Sequence, residues 1–463
     1  MWPIAFMECP PFGYRLGSVA IKWDRNGGNW LPTKRLQILP WTALSDSSKD
    51  LQRRTSKQTA VDLNKQKSVQ QGGYPFYASD GKLSALCVDS EPKVVKRLLR
   101  EVKSGSFRDS NISLGLRGRG NNWALGYHGL QTQNDNSLLN RTLDSFRKEV
   151  ERRDAYCGVI LLHSLTGGTG SGLGARLCES IREEFPMGYI LSVTVAPHQV
   201  GESPLQHYNS LLCLSWLQRY ADGVLLFHND DILRRMQALC GRKINHTTAQ
   251  QPQISLSDMN TLIASCLAGL MYPVSNLRTR SGVGIGLEPW ELLRTVCPMP
   301  TTKLLYTSQM NMRGTASWDS MLSSIVRTLP RHSPTGNTYH STAVLAVARG
   351  TRAETFNCSL QPIMMKMKQG YGCVSWNPQA LDYWTDPCNI VDLTSSSHSL
   401  TICANHSSVS DYIQHVLQKA QTMYDAHAYL HWYWKHGCEE GDFLQAFEIL
   451  DSVVKEYNAA GDH

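Results

Sequence analysis

Apolar and amphipathic segments alternate through the middle of this chain. An apolar run at 156–165 is followed by a glycine-rich turn, an amphipathic stretch at 174–185 and a second apolar run at 188–195. Strand, turn, helix and strand at this spacing predict a βαβ unit with two parallel strands. Upstream, the segment "LSALCVDSEP" predicts a strand that ends at Asp89 and a helix that begins at Pro92.

Two further segments extend the α/β pattern. The run "DGVLLFHND" at 222–230 predicts another strand, and 255–272 predicts a helix capped by Ser255 or Ser257. Because that helix is apolar on nearly all sides, we expect it to be buried.

The chain has 463 residues, which is too long for one hydrophobic core. Residues 1–45 show no sustained period and stay unassigned, as an atypical N-terminus. The pattern then predicts an α/β domain with the buried helix at its end (46–272), a second, intermediate α/β domain (273–405) and closing helices (406–463).

Composition and charge exclude several classes of protein. Hydrophobic residues make up 41% of the chain, yet no apolar run is long enough to cross a bilayer. The formal net charge of +7 is not gathered into a tract of the kind that binds nucleic acid. Thirteen cysteines show neither a CxxC pair nor metal-ligand spacing, which favours reduced thiols in a cytoplasmic protein.

The turn "TGGTGSGLGA" at 166–175 is the strongest chemical signal in the sequence. A mononucleotide P-loop is excluded because no lysine follows the glycines. A dinucleotide fingerprint fits Gly170, Gly172 and Ala175 but lacks its acidic ribose partner. A third interpretation is structural: glycines supply positive φ and let the helix pack closely on the strand. Hydroxyl side chains among the bare amides favour an anion cradle at the helix N-terminus.

This turn, preceded by "HSL", closely resembles the phosphate-binding loop of the tubulin family, whose usual form is GGGTGSG. Thr166 stands in place of the first glycine, and its Cβ makes a positive φ costly there. The resemblance implies that the nucleotide is GTP or GDP. It assigns the phosphate cradle to five residues: Ser164, Gly167, Gly168, Thr169 and Gly170.

Other loops resemble the same family in the same order. "VDSEP" resembles the second nucleotide loop, which implies that Asp89 and Glu91 lie near the phosphates and a Mg²⁺ ion. "GRGNNWALGY" resembles the third, which implies that Gly120 and Asn121 approach the γ-phosphate.

The resemblance also assigns the ribose and base contacts. Gln206 stands where the family has a ribose-binding glutamate, and Asn229 where it has an asparagine that contacts guanine and ribose. Asn260 stands where the family contacts the guanine edge, for which an amide offers both donor and acceptor. Leu256 replaces an aromatic residue that often stacks on the base.

A carboxylate beyond the long apolar helix corresponds to the catalytic acid of hydrolysing family members. Glu291 falls at that position when counted back from Pro298, and Glu288 is its nearest rival. In this family the segment inserts into the nucleotide site of the next subunit. The resemblance therefore implies a GTPase activity that depends on assembly.

The implied fold is a tubulin-type Rossmann-like GTPase domain with a central helix, an intermediate α/β domain and a C-terminal helical hairpin. The sequence "QVGESPLQHYNS" at 199–210, which resembles the family's fifth loop and contains Gln206, is closest in form to the delta branch of the family. Thr166 and the absence of an acidic tail resemble the same branch. That branch implies a GTP-binding protein of the cytoplasm and cytoskeleton, at the centrosome, centrioles and basal bodies. It would support triplet microtubules and ciliogenesis.

The resemblance implies other tubulins, through longitudinal contacts, and centriolar proteins as partners, with no nucleic acid or membrane. A non-catalytic scaffold of tubulin fold and a lattice-forming microtubule subunit are the alternatives.

The family's first strand and its GQCGNQ-type loop have no counterpart that the pattern reveals in residues 1–45. We expect their loss to expose apolar surface on the neighbouring strands and to open the pocket. Either the start of the sequence is incorrectly derived, which we favour, or nucleotide binds poorly.

Overall fold

The computed structural model describes residues 4–8, 19–20, 39–40, 76–78, 80–102, 105–129, 136–153, 156–199, 203–241, 254–274, 278–279, 282–283, 289–314, 317–333, 336–351, 353–391 and 397–461.

The strands are β1 Ile4–Glu8, β2 Val19–Ala20, β3 Leu39–Pro40, β4 Ala85–Asp89, β5 Ile112–Leu114, β6 Gly158–Ser164, β7 Tyr189–Ala196, β8 Gly223–His228, β9 Arg278–Thr279, β10 Gly282–Val283, β11 Leu304–Arg313, β12 Ser341–Gly350, β13 Leu381–Asp386 and β14 Ser397–His406. The helices are α1 Pro92–Glu101, α2 Trp123–His128, α3 Asn136–Glu151, α4 Gly174–Glu184, α5 Gln206–Tyr220, α6 Asn229–Gly241, α7 Leu256–Met271, α8 Trp290–Val296, α9 Trp318–Thr328, α10 Ala353–Cys358, α11 Leu360–Gly370, α12 Val409–Asp425, α13 Leu430–Trp434 and α14 Glu440–Ala459.

Ten strands form one sheet in the order β13-β12-β14-β11-β8-β7-β6-β1-β4-β5. Strands β6, β7 and β8 are parallel, which confirms the predicted βαβ unit. Strand β11 joins the intermediate strands to this sheet by pairing in parallel with β8 at Leu304 and Leu305. The predicted α/β class is therefore confirmed, with one sheet running through both predicted α/β regions.

A strand does fill the position that the sequence pattern leaves empty. Strand β1 lies between β6 and β4 and is antiparallel to both, with Ala5 opposite Leu162 and Ile4 opposite Val88. The expectation that residues 1–45 supply no such strand is wrong. A five-residue run in a segment without period gave no pattern by which to recognise it. The phosphate loop sought after this strand lies outside the described residues.

Apolar side chains pack on both faces of the sheet. Successive strand residues point to opposite faces, so Leu161 packs in the core cluster beneath α5 and Leu162 in the cluster beneath α7. Helix α7 is buried along Ile263 and Leu270, as its apolar sequence predicts. Ser255 is its cap: the Ser255 hydroxyl accepts from the Asp258 N–H at 3.2 Å, and the Asp258 carboxylate accepts from the Ser255 N–H at 3.0 Å.

Two loop and helix predictions need correction. The glycine-rich segment after β5 is a loop only as far as Asn122, because α2 begins at Trp123. Within the predicted closing helices, residues 409–434 form two helices, because His427 and Tyr429 have positive φ values of 50° and 61° that break the helical path. Among the described residues, no helix combines the length and apolar content that crossing a bilayer requires.

Candidate functional site

Five parallel strands, β4 to β8, end at one edge of the sheet, which we call the carboxyl edge. Strand β4 ends at Asp89, β6 at Ser164, β7 at Ala196 and β8 at His228. Ser164 pairs with Val195, and Ala196 with His228, so these ends are level with one another. In sheets of this type ligands bind beyond the carboxyl ends of the strands.

The glycine turn stands at this edge as a helix N-terminus. Residues Gly168–Leu173 form a single π-helical turn that continues into α4, and Gly167 precedes it with extended backbone at φ −84° and ψ 148°. The first amides of such a segment have no intrahelical partner, and the helix dipole makes this end positive. The residues predicted to cradle phosphate therefore surround a helix N-terminus of the kind that suits an anion.

The turn requires glycines because neighbouring atoms pack too closely to leave room for a Cβ, and not because the backbone has a positive φ. A Cβ on Gly168 would lie 2.4 Å from the Arg119 carbonyl oxygen, and one on Gly172 would lie 2.2 Å from the Trp123 carbonyl oxygen. A Cβ on Gly170 would lie 2.6 Å from the Ser164 hydroxyl. Positive φ values in the described chain do not include these glycines or Thr166. The interpretation from positive φ is wrong for this turn, and the Thr166 side chain meets no such penalty.

Asp89 is a buried carboxylate with an unsatisfied oxygen. Its side chain is 0% exposed, Oδ1 accepts from the Glu91 N–H at 3.3 Å, and Oδ2 has no hydrogen-bond partner among the residues that the structure describes. Burial raises the pKa of Asp89 to about 6, so the group is ionised at neutral pH but poorly solvated. This oxygen fits Mg²⁺, which proteins usually hold with one or two carboxylates together with phosphate oxygens.

The second loop is fastened to both neighbouring loops. The Ser90 and Thr169 hydroxyls share a hydrogen bond of 2.5 Å, which joins the second loop to the glycine turn. The exposed Glu91 side chain lies against the third loop, where a Cβ on Gly118 would come within 2.0 Å of Glu91 Oε1. Asp89 and Glu91 are thus both beside the turn that they were predicted to accompany.

The third loop has two consecutive residues in the left-handed region. Gly120 and Asn121 both have φ of 52°, a conformation that asparagine tolerates better than most residues. The buried Asn209 amide holds this loop on the glycine turn by donating to the Asn121 carbonyl at 2.6 Å and to the Thr166 carbonyl at 2.8 Å. Its oxygen accepts from the Trp123 N–H at 2.9 Å and the Tyr433 hydroxyl at 2.7 Å.

The residues predicted to contact guanine and ribose lie beyond β7 and β8. Asn229 begins α6 and is 4% exposed, and its buried amide nitrogen has no hydrogen-bond partner in the described part of the chain. Leu256 begins α7 and is partly exposed, with the buried Asn260 one turn further on. Gln206 begins α5, and its amide donates to the His198 carbonyl at 3.3 Å.

Sequence reasoning missed several residues that support the site. The buried His163 bonds to the Ser192 hydroxyl at 2.8 Å beneath the glycine turn, and burial lowers its pKa to about 4, so its ring is neutral. Asn122 caps α2 by accepting from the Leu125 N–H at 3.1 Å. The Asn-Asn pair and the "HSL" sequence are the only local signals for these roles.

Glu291 lies at the opposite edge of the sheet. The Trp290 ring stacks on Tyr189, the first residue of β7, with centroids 5.8 Å apart, and the Arg294 guanidinium donates to the Tyr189 hydroxyl at 3.1 Å. Glu291 itself pairs with Arg294 at 2.7 Å. Eight residues of strand span about 25 Å, so Glu291 cannot reach the carboxyl edge of its own chain. Its rival Glu288 lies outside the described residues.

Comparison with known proteins connects this geometry to one family. A family model described as Tubulin/FtsZ family, GTPase domain, matches residues 56–237. The chain is 27% identical to the tubulin delta chain of Homo sapiens over 407 residues, covering 81% of this chain and 86% of the relative. The delta chain of Mus musculus is 25% identical over 411 residues, with the same coverage. The tubulin beta-8 chain of Oryza sativa subsp. japonica is 28% identical over 392 residues, covering 82% of each.

Proposed function

Since this chain belongs to the tubulin family, as a GTP-binding cytoskeletal protein resembling the delta chains in particular, we propose that its carboxyl edge is the guanine-nucleotide site. The observation that carries the proposal is a pair of buried polar atoms at that edge, Asp89 Oδ2 and Asn229 Nδ2, which have no hydrogen-bond partner among the described residues. In the strand order, Asp89 follows β4 on one side of the glycine turn and Asn229 follows β8 on the other side. A nucleotide lying along the edge would therefore place its phosphates near one atom and its base near the other.

Each part of GTP has a chemically suited position along the edge. The phosphates would meet the backbone amides of Gly168, Thr169 and Gly170 at the start of the helical segment, with Ser164 beside them. The third loop, at Gly120 and Asn121, would close over the γ-phosphate. A Mg²⁺ ion held by Asp89, with Glu91 nearby, would neutralise charge on the phosphates. The amides of Asn229 and Asn260 would satisfy the donors and acceptors of the sugar and base, against the apolar Leu256.

We propose further that hydrolysis requires a second subunit. Glu291 lies at the amino end of β7, so its carboxylate meets a nucleotide only when one chain stacks end to end on another. There it would orient water, or accept a proton from it, as water attacks the γ-phosphate. Longitudinal contact with other tubulins is therefore part of the proposed activity.

The finer cellular role rests on resemblance to the delta chains. We propose that the protein acts at centrioles and basal bodies, supports triplet microtubules and ciliogenesis, and contacts centriolar proteins there. Depletion in ciliated cells, with complementation by the tagged chain, tests this role. We expect depleted cells to lose triplet microtubules, and we expect the tagged chain to localise to centrioles. A normal complement of triplets after depletion would contradict it.

Nucleotide binding is tested on the purified full chain by equilibrium binding of GTP in the presence of Mg²⁺. Asn229→Ala should weaken GTP binding about tenfold or more, because a buried amide bond to the nucleotide is lost. Asn458→Ala, which changes an exposed asparagine on α14, is the matched control and should bind as the parent does. A parent chain that binds ATP as tightly as GTP would contradict the guanine assignment. A parent chain that binds neither nucleotide would favour a scaffold without nucleotide.

A further inference from the structure

Resting on the proposed function, we propose that Asp230 and His198 form a latch that positions the sugar loop and so sets the site's preference for ribose. The sugar loop is the connection from β7 to α5, described at residues 197–199 and 203–205. In this role Asp230 and His198 are positioning residues, which act through the loop and do not touch the reacting atoms.

Asp230 uses both carboxylate oxygens to hold the loop. Oδ1 lies 2.5 Å from His198 Nδ1, and Oδ2 accepts from the Gln199 N–H at 2.8 Å. Two bonds from one carboxylate fix the orientation of the loop as well as its distance, because rotation about either bond alone would break the other. Asp230 is the second residue of α6, directly after Asn229.

The latch connects two predicted nucleotide contacts. The carbonyl of His198 accepts from the Gln206 amide at 3.3 Å, and the Gln206 N–H donates to the Ser203 carbonyl at 3.2 Å. A short chain of bonds therefore runs from Asn229 and Asp230, through His198, to Gln206. Displacing the loop from α6 would change the distance between the residues proposed to contact the sugar from two sides.

The simpler explanation is a carboxylate that only stabilises the N-terminus of α6. An acidic residue in a first turn does favour the helix dipole. Asp231, the next residue, already supplies an acidic group in that turn and pairs with Arg234 on the same helix. Asp230 instead bonds to groups 31 and 32 residues earlier in the chain, which the helix does not need.

The surroundings keep the latch ionised at neutral pH. Burial opposes ionisation of Asp230, but the Gln199 N–H, the His198 bond and the nearby His228 together hold its pKa below the ordinary value. Burial lowers the pKa of His228, whose ring packs edge-on against Tyr412 at 5.0 Å. A carboxylate accepts from the His198 N–H whether that ring is neutral or charged, so the latch does not depend on protonation.

The test compares GTP with 2′-deoxyGTP on the full chain, using unlabelled nucleotides in calorimetric titrations with Mg²⁺ present. Asp230→Ala and His198→Ala should weaken GTP binding about tenfold while weakening deoxyGTP binding much less, so that the ribose preference falls. Asp230→Asn, which keeps an acceptor for the Gln199 N–H, should recover part of that preference. Asp231→Ala is the matched control and should leave the ratio unchanged.

Hydrogen exchange gives a second measurement that does not require nucleotide. Amides at 197–199 and 203–205 should exchange faster in Asp230→Ala than in the parent or in Asp231→Ala, with the strands of the sheet unaffected. An unchanged ratio of GTP to deoxyGTP affinity in Asp230→Ala, with the parent binding GTP normally, overturns the latch alone. A parent chain that binds neither nucleotide overturns the proposed function and the latch with it.

Discussion

At the scale of single residues, the site is marked by polar atoms that the fold buries without satisfying. Asp89 Oδ2 and Asn229 Nδ2 are both enclosed at the carboxyl edge and have no hydrogen-bond partner within the described chain. Leaving such a group unpaired costs about 1–3 kcal/mol, and more when it is charged. A bound metal and nucleotide would supply the missing partners. These residues should therefore lower the stability of the ligand-free protein and strengthen ligand binding.

Asp89→Asn should therefore stabilise the nucleotide-free protein while weakening Mg²⁺-dependent GTP binding. The folded-state pKa of about 6 exceeds the ordinary 3.8, so the folded protein holds this proton more tightly than the unfolded chain. Stability of the parent should fall as pH rises from about 4 to about 6, by up to about 3 kcal/mol, and then stay level. Asp89→Asn should remove this pH-dependent loss of stability, because asparagine does not ionise.

Urea denaturation without nucleotide at pH 4.5 and 7.5 checks the prediction, with the exposed Asp109→Asn as control. The parent should lose more stability between these pH values than Asp89→Asn does. If Asp89→Asn is instead less stable than the parent at pH 7.5, burial of the charge is not what raises this pKa.

At the scale of elements, the loops proposed to bind phosphate are packed together as one unit, because their backbones are in contact. The turn before α4 packs on the loop before α2, and Asn209 of α5 bonds to both. Tyr433 on α13 adds a hydroxyl to the same asparagine, so the C-terminal helices help to hold the phosphate loops. Small changes of backbone position at this junction should lower the affinity for nucleotide.

Gly168→Ala should separate the turn from the third loop. The added Cβ would lie 2.4 Å from a backbone oxygen, which cannot move aside as a flexible side chain can. Overpacking of this kind costs about 1–3 kcal/mol, and GTP affinity should fall about tenfold or more. Gly441→Ala on α14, where a Cβ would meet nothing within 4 Å, should keep GTP affinity and gain slightly in thermal stability. Equal GTP affinity in the two variants would show that the turn is not packed as described.

At the scale of the whole molecule, the two ends of the sheet carry different halves of the proposed active site. Asp89 and the glycine turn lie at the carboxyl edge, and Glu291 lies at the amino end of β7. A contact between unlike ends is heterologous and continues from one copy to the next. The fold is thus suited to head-to-tail assembly, and an isolated subunit should hydrolyse GTP poorly.

Glu291→Gln should bind GTP as the parent does but lose about 10²-fold or more of the turnover seen in assemblies, since a positioned acid or base is removed. The exposed Glu183→Gln on α4 is the matched control. Mixing Glu291→Gln with Asp89→Asn should restore turnover at interfaces that join an intact Glu291 to an intact Asp89. An active interface needs the Glu291→Gln chain to supply Asp89 and the Asp89→Asn chain to supply Glu291. With equal amounts and random pairing, each condition is met half of the time, so about one quarter of the interfaces should be active. No restoration on mixing, with assembly intact, would contradict a shared site.

Much of the fold follows from local pattern. The helix at Pro92, the cap at Ser255 and the parallel pair β6 and β7 were predicted because periodicity and capping residues act over a few positions. The antiparallel strand β1 was missed because it is held by partners more than 75 residues away in sequence. The bonds of Asn209 and Asp230 were missed for the same reason.

The sequence alone determined the glycine turn, the order of the loops around it and the amide and carboxylate groups available for GTP, because these depend on residue type and short spacing. Only the tertiary structure decided which of those groups are buried without partners in the described chain, that Asp230 bonds to the loop after β7, and that Glu291 lies at the sheet edge opposite the glycine turn. Those properties depend on solvent exclusion and on distances between segments far apart in the chain, which the order of residues does not state.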